Sequence, residues 1–113
     1  MLAAPPRPRR RFDPAVVFAA LGDPTRLSLV RRLTAGTPMS IARLTEGSAM
    51  TRQAVTKHLR VLESSGVVGK QRSGRESLYK LWPGAIVDMR AYLDSISRQW
   101  DDALARLKAF VED

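Results

Sequence analysis

The chain of 113 residues contains no cysteine. Disulfides, thiolate metal sites and thiol redox switches are therefore excluded, which is compatible with the cytoplasmic location that we expect. The sequence also has no run of about 18 apolar residues, the length that a membrane-spanning helix needs, so we expect no transmembrane segment.

Histidine occurs only once, at position 58. One histidine without cysteine or a neighbouring carboxylate cluster does not complete a metal site. Nothing in the sequence places a nucleophile and an orienting acid around it either. We therefore predict that His58 is a packed, hydrogen-bonded residue, that the protein is not an enzyme, and that it uses no cofactor.

Positive charge is concentrated in the first three quarters of the chain. Residues 1–83 hold 15 of the 19 Lys and Arg but 5 of the 11 Asp and Glu, a net charge of +10, whereas residues 84–113 carry −2. This division indicates that the first part binds a polyanion and the last part has another role. The alternative is a basic protein whose charge only keeps it soluble. The length and the 44% hydrophobic content fit one globular domain.

The first twelve residues, MLAAPPRPRRRF, are rich in proline and arginine and show no apolar periodicity. This composition predicts a disordered basic tail over residues 1–12. The arginines precede an apolar stretch at 15–22, as in a secretory signal peptide, but Asp13 and Pro14 interrupt the junction. We therefore expect the apolar stretch to belong to the fold.

Capping signals mark the first two helices. Asp13-Pro14 and Asp23-Pro24 each place a capping residue before a proline, the usual start of a helix. The first helix is predicted to stop at Gly22 and the second at Gly36.

Two further helices are predicted in close succession. Ser40 caps a short third helix that ends near Gly47, and Thr51 caps a fourth that runs to about Ser65. Two helices joined by a short turn with glycine, the second bearing outward polar residues, form the helix-turn-helix pattern.

The fourth helix is amphipathic. One half of its helical wheel is mostly apolar: Ala54, Val55, His58, Leu59, Val61 and Leu62. The other half is polar: Gln53, Thr56, Lys57, Arg60 and Ser64. Amide, hydroxyl and cationic groups of this kind bind base edges in a DNA major groove, and Arg52 at the helix start is placed to hold a phosphate.

A hairpin is predicted after the fourth helix. Helical periodicity is lost from residue 67, SGRE at 73–76 is a turn, and residues 77–81 alternate. Its basic residues, expected at or near the tip, are Lys70, Arg72, Arg75 and Lys80. A hairpin in this position is a wing, and the residues that we assign to DNA binding are Thr51, Arg52, Gln53, Thr56, Lys57, Arg60, Arg72 and Arg75.

The last predicted helix spans about 86–111 and has a heptad pattern. Apolar or small residues alternate in steps of 3 and 4: Ile86, Met89, Leu93, Ile96, Trp100, Ala103, Leu107 and Phe110. A helix of this length is about 40 Å long, and one small domain cannot cover such a stripe. The stripe therefore predicts a partner chain.

Three segments resemble the ArsR-type winged-helix repressors of bacteria and archaea: ALGDPTRLSLVRRL (20–33), MTRQAVTKHLRVLESSGVV (50–68) and GRESLYKL (74–81). The long tail helix with Trp100, Leu104 and Leu107 is also similar to one branch of that family. The resemblance implies a mainly α fold of about five helices with a small β-hairpin, a winged helix-turn-helix. Residues 13–83 would bind DNA and 84–113 would form a dimerisation helix.

The resemblance further implies a homodimeric repressor that binds a palindromic operator and can be autoregulatory. The first and last helices would pair the subunits. The residues assigned to this interface are Val17, Ile86, Met89, Leu93, Ile96, Trp100, Leu104, Leu107 and Phe110. The sequence departs from metal-sensing members, because SIARLTEG (40–47) has no sulfur ligand and the last helix has no histidine. We therefore expect no high-affinity transition-metal site, and the effector is not defined.

Two other functions remain open at this point. An architectural DNA-binding protein would share the charge but bind any sequence, and a protein-interaction module would use the long helix to bind a different protein. The arginine-rich tail has an alternative as well, an arm that enters the DNA minor groove.

Overall fold

The computed structural model describes residues 12–112. Five helices are present: α1 (Pro14–Leu21), α2 (Pro24–Leu33), α3 (Ile41–Thr45), α4 (Arg52–Ser64) and α5 (Pro83–Glu112). Three strands accompany them: β1 (Met39–Ser40), β2 (Val68–Ser73) and β3 (Glu76–Leu81). The predicted fold, mainly helical with a hairpin after the helix-turn-helix, is confirmed. Among the described residues, no helix is long and apolar enough to cross a membrane.

The predicted caps are present at the first four helices. Asp13 and Asp23 accept hydrogen bonds from backbone N–H groups of the first turns of α1 and α2, at 3.0 Å from Ala15 and 2.9 Å from Arg26. Ser40 and Thr51 do the same for α3 and α4, at 3.1 Å each. Each bond satisfies a donor that a helix start leaves unpaired. The positions of these helix starts are therefore local properties of the sequence.

A hydrophobic core joins the helices to the sheet. Its buried members are Val17, Ala20, Leu29, Leu33, Leu44, Val55, Leu59, Leu62, Val67, Val68, Tyr79 and Leu81. Since α1 to α4, β2 and β3 all contribute to it, α4 is held firmly relative to the rest of the domain.

The sheet has one strand more than the predicted hairpin. Its order is β1-β3-β2, with Met39 paired to Tyr79 and Ser40 to Leu78. A strand of two residues shows no alternation of its own, and its partners lie about 40 residues away in the chain. Sequence periodicity therefore did not reveal it.

The last helix begins at Pro83, three residues earlier than predicted. The Trp82 carbonyl accepts from the N–H groups of Ala85 and Ile86, at 3.0 and 3.4 Å. A Cβ atom at Gly84 would lie 2.9 Å from the indole nitrogen of Trp82. The glycine therefore allows this indole to pack against the first turn of α5.

Candidate nucleic-acid interface

Helix α4 is held by one side and exposed on the other. Val55, Leu59 and Leu62 are buried on its inner side, as predicted from the wheel. Gln53 and Lys57 are exposed on its outer side. Val61 differs from the prediction, because 41% of it remains exposed. The buried stripe is therefore narrower than the predicted apolar half, and the exposed side of α4 includes the apolar Val61.

The cations on the outer side of α4 are not neutralised by neighbouring carboxylates. Within residues 12–112, the close contacts between a basic and an acidic side chain are those of His58 with Asp23, at 3.8 Å, and of Lys108 with Glu112, at 3.9 Å. Neither pair involves Arg52, Lys57 or Arg60. The side chains of these three residues are exposed and their charges are available to an external anion.

An open depression lies where α3 meets the start of α4. Ile41 and Ala42 of α3 form one part of its wall, and α4 contributes Thr51, Arg52, Gln53, Ala54, Thr56, Lys57 and Arg60. Six of the eight residues assigned to DNA binding thus line one continuous surface. The contribution of α3 was missed in the sequence, because only the packing of α3 against α4 brings Ile41 and Ala42 to this surface.

Thr56 donates its hydroxyl proton within the helix, whereas the hydroxyl of Thr51 on the same surface accepts from the Ala54 N–H. The Thr56 hydroxyl donates to the carbonyl oxygen of Arg52 at 2.7 Å. A threonine hydroxyl has one proton and can still accept through its lone pairs. Thr56 therefore faces an external ligand as an acceptor.

The hairpin places its basic residues at different positions. Arg75 lies in the turn and Arg72, paired with Ser77, is next to it; both are exposed. Lys80 pairs with Gly69 at the base of the hairpin, and Lys70 pairs with Tyr79.

These pairings correct the prediction that all four cations lie at or near the tip of the wing. Side chains alternate between the faces of a sheet and cross-strand partners share a face. Arg72 therefore lies on the same face as Ser77, whereas Lys80 lies on the opposite face. Arg72 and Arg75 form the basic tip, and Lys80 does not belong to it.

Two arginines of α2 have internal partners. Arg26 donates through Nε to the Ala20 carbonyl at the end of α1, at 2.6 Å. Arg32 donates to the carbonyls of Leu44 and Arg43 at the end of α3, at 2.8 and 3.0 Å. Both arginines therefore cap neighbouring helices. The sequence does not distinguish such arginines from solvent-exposed ones, because the carbonyls that they bind belong to other helices.

His58 is partly buried and hydrogen-bonded, as predicted. Arg26 donates through Nη1 to Nδ1 of the imidazole at 3.3 Å, and Oδ2 of Asp23 lies 3.8 Å from the same nitrogen. The hydrogen bond from the backbone N–H of Arg26 lowers the pKa of Asp23, desolvation opposes this effect, and the nearby charge of Arg26 lowers the pKa further. This cluster connects the start of α2 to the middle of α4.

Comparison with known proteins agrees with this geometry. A family model described as a helix-turn-helix domain matches residues 21–69. The HTH-type transcriptional regulator Rv2034 of Mycobacterium tuberculosis is 34% identical over 92 residues, which cover 81% of this chain and 82% of that protein. The HTH-type transcriptional repressor SmtB of the same species is 32% identical over 102 residues, covering 89% and 73%.

Among solved structures, an ArsR-like transcriptional regulator from Rhodococcus sp. RHA1 has a TM-score of 0.74 and 34% identity. The match covers 85% of this chain and 90% of that one. The chain belongs to the ArsR/SmtB family of winged helix-turn-helix regulators. In the terms of that family, α3 and α4 are the helix-turn-helix, α4 is the recognition helix, and β2 with β3 is the wing.

This ArsR-type chain exposes an apolar stripe on α5. Large apolar side chains that remain outside the core are Ile86, Leu93, Trp100, Leu104, Leu107 and Phe110, and Trp100 is 64% exposed. They share one side of the helix, as the heptad pattern predicted. A surface of this extent on a helix of 30 residues is typical of an interaction site.

Aromatic contacts fix α5 against the N-terminal part of the described chain. The ring of Tyr92 lies 6.2 Å from that of Phe12 and 5.8 Å from that of Phe18, centroid to centroid. Tyr92 therefore connects α5 to α1 through Phe18 and to the residue before α1 through Phe12.

Val17 has to be removed from the residues assigned to the subunit interface. It is 1% exposed and belongs to the core of its own chain, so it is not available to a second chain. Its neighbour Val16 is 41% exposed and occupies the outer side of α1. Met89 packs against the core in part, whereas the other assigned residues of α5 lie outside it.

Proposed function

We propose that the protein is a homodimeric, sequence-specific DNA-binding transcriptional repressor that acts on a palindromic operator. The observation that carries this proposal is the recognition helix, whose inner side is locked in the core while its outer side presents unpaired cations and an amide. Gln53, Thr56, Lys57 and Arg60 are proposed to enter the major groove, with Thr51 and Arg52 at the adjacent phosphates. Because the inner side of α4 is packed in the core, the backbone positions from which these groups extend are fixed, which sequence-specific binding needs.

The wing supplies contacts that do not depend on base sequence. Arg72 and Arg75 lie at the tip, are exposed, and belong to the wing that follows the recognition helix. We assign them to the DNA backbone or minor groove beside the major-groove site. Such contacts position a protein on the duplex and strengthen binding to any sequence.

The exposed stripe of α5 supports the dimer. A second copy of the same helix, together with the outer side of α1, would cover the apolar side chains that the single chain leaves in water. A two-fold axis would then set the two recognition helices about one DNA turn apart, about 34 Å. This symmetry is the reason for expecting a palindromic operator.

Repression is supported by the relationship to SmtB, which carries the name of a repressor. A chain that binds chromosomal DNA would be cytoplasmic in a bacterium or an archaeon. The absence of cysteine throughout the chain and of histidine from α5 supports a regulator that does not sense transition metals through thiolate or histidine ligands. Autoregulation, in which the operator lies at the regulator's own gene, is part of the proposal.

The direct test is selection of bound fragments from genomic DNA, followed by affinity measurements against random duplexes at several salt concentrations. A sequence-specific repressor binds the selected fragments at least about a thousandfold more tightly than random DNA. Equal affinity for both would instead establish an architectural DNA-binding protein. Failure to bind either, with capture of a different protein by α5, would establish an interaction module.

Two substitutions separate base contacts from backbone contacts. Gln53→Ala is expected to weaken operator binding by about 1–3 kcal/mol and to relax preference at one base pair, with little effect on random DNA. Arg75→Ala is expected to weaken binding to both and to reduce the salt slope by about one unit. Arg98→Ala, which removes an exposed cation from the polar side of α5, is the matched control and should change neither. Equal losses on operator and random DNA for Gln53→Ala and Arg75→Ala would contradict the assignment.

A further inference from the structure

We propose that Thr56 selects, in each half-site, a base that presents an amino group in the major groove, adenine or cytosine. The inference rests on the proposed function, because it concerns how the recognition helix distinguishes base pairs. It starts from the hydroxyl of Thr56, which donates its proton to the Arg52 carbonyl at 2.7 Å.

Because of the internal hydrogen bond, the Thr56 hydroxyl can only accept hydrogen bonds from other groups. A hydroxyl that has committed its only proton can offer an external group nothing but lone pairs. Releasing the proton would remove this contact from the Arg52 carbonyl in the first turn of α4. Thr56 therefore acts as an acceptor at the surface that it shares with Gln53 and Lys57.

The bases differ in what they present to such an acceptor. In the major groove, adenine offers the N6 amino group and cytosine the N4 amino group, whereas guanine offers the acceptors N7 and O6. An acceptor placed against guanine would face two acceptors without a proton between them. Thr56 consequently favours adenine or cytosine and disfavours guanine at the base that it contacts.

The neighbouring side chains differ from Thr56 in the hydrogen bonds that they can donate or accept. Lys57 and Arg60 carry donors only, so they suit guanine or phosphate, and the amide of Gln53 can both donate and accept. Among these four residues, Thr56 is the one restricted to accepting. The recognition helix thus presents an acceptor between an amide three residues before it and a guanidinium four residues after it, on one surface.

Two substitutions distinguish acceptor recognition from contact through the methyl group. Thr56→Val keeps the β-branched shape and removes the oxygen, whereas Thr56→Ser keeps the hydroxyl and removes the methyl. If the hydroxyl oxygen accepts from a base, Thr56→Val should reduce the preference for the favoured base pair over the others about fivefold at one position per half-site. This is the effect of one neutral hydrogen bond. Thr56→Ser keeps most of that preference. The reverse result would show that Thr56 recognises a thymine methyl group and would overturn the proposal.

The probes are operator duplexes from the genomic selection that lack single amino groups. Each adenine is replaced in turn by purine, which lacks N6, and each cytosine by pyrimidin-2-one, which lacks N4. A replacement in one half-site alone should weaken the wild-type protein about fivefold and Thr56→Val less than twofold. If no position shows this coupling, Thr56 makes no such contact.

The wild-type measurement keeps the test decisive if Thr56→Val folds poorly. Should no amino-group deletion alter the affinity of the wild-type protein for an operator that it clearly prefers over random DNA, the proposal fails while the proposed function stands. If the wild-type protein shows no preference for any operator, the proposed function itself fails, so the two results are distinguishable.

Discussion

At the scale of single residues, several polar side chains of this domain act on the protein's own backbone. Asp23 caps α2, Arg26 binds the end of α1, and Thr56 binds a carbonyl of its own helix. Each of these bonds uses a donor or an acceptor of the side chain and so limits the hydrogen bonds that it can make to an external ligand. Charge and residue type alone therefore overstate how many polar residues are available to DNA.

Asp23 is expected to make stability depend on pH in the acidic range. Its pKa is lowered below the ordinary 3.8, first by the hydrogen bond from the Arg26 N–H. The ionised form is thus favoured in the folded state, so its stabilising effect is present above about pH 4 and is lost as the pH falls through the lowered pKa. Asp23→Asn keeps a capping side chain and removes the charge.

The measurement is urea unfolding of both proteins between pH 2 and pH 6. The wild type should exceed Asp23→Asn in free energy of unfolding at pH 5 to 6, and the difference should vanish towards pH 2. Asp101→Asn, on the exposed side of α5, is the charge-matched control. A difference that stays constant over the whole range would contradict the role of the Asp23 charge.

At the scale of elements, the recognition helix is positioned by its neighbours as much as by its own sequence. The short helix α3 has five residues, too few to be stable alone. It is held by Leu44 in the core and by Arg32, which binds two of its carbonyls. The geometry of the helix-turn-helix therefore depends on α2, which lies outside it.

Removing the Arg32 side chain is expected to destabilise the domain. Arg32→Ala leaves the Leu44 and Arg43 carbonyls without their charged donor, at a cost of about 2 kcal/mol in the free energy of unfolding. Arg32→Lys should recover part of this, because a lysine cannot reproduce the planar two-donor geometry of a guanidinium. Urea unfolding at neutral pH measures both.

Arg31 provides the internal control for that experiment. It is the neighbouring arginine of α2, its side chain is exposed, and Arg31→Ala should change the free energy of unfolding by less than about 0.5 kcal/mol. If Arg31→Ala and Arg32→Ala have the same effect, the cap on α3 contributes nothing and the positioning of α3 has another source.

At the scale of the whole molecule, α5 is the element whose apolar side the single chain leaves largely uncovered. Residues from Trp100 onward expose Leu104, Leu107 and Phe110, and Phe110 is 80% exposed. The helix of 30 residues is about 45 Å long, and its second half contributes nothing to the buried core. The stripe and the surface proposed to bind DNA are formed by different elements, which fits a division between subunit pairing and DNA recognition.

Trp100→Asp tests whether the stripe pairs two subunits. A charge in the middle of an apolar interface is expected to dissociate the dimer in sedimentation experiments and to weaken operator binding strongly, since both half-sites are no longer held by one molecule. Ala105→Asp introduces the same charge on the polar side of α5 and should leave the dimer intact. A Trp100→Asp protein that remains dimeric would place the subunit contact elsewhere.

Much of the candidate site was predicted from the sequence because its signals are local. The cap at Thr51, the inner stripe of Val55, Leu59 and Leu62, and the heptad pattern of α5 all depend on spacing within one helix. Residues 1–11 lie outside the described residues, so the disordered tail stays a prediction, as do the domain limits 13–83 and 84–113. The assigned contacts to DNA and between subunits likewise remain proposals.

The sequence by itself determined where the first four helices begin, which sides of α4 and α5 are apolar, and where positive charge is concentrated, because neighbouring residues alone set these properties. The tertiary structure decided what happens between distant segments. It paired β1 with β3, placed Val17 in the core instead of at an interface, and directed Arg26 and Arg32 to the ends of α1 and α3. These contacts join residues that are separated along the chain. The spacing of residues within one helix or strand does not predict which distant atoms a side chain will contact.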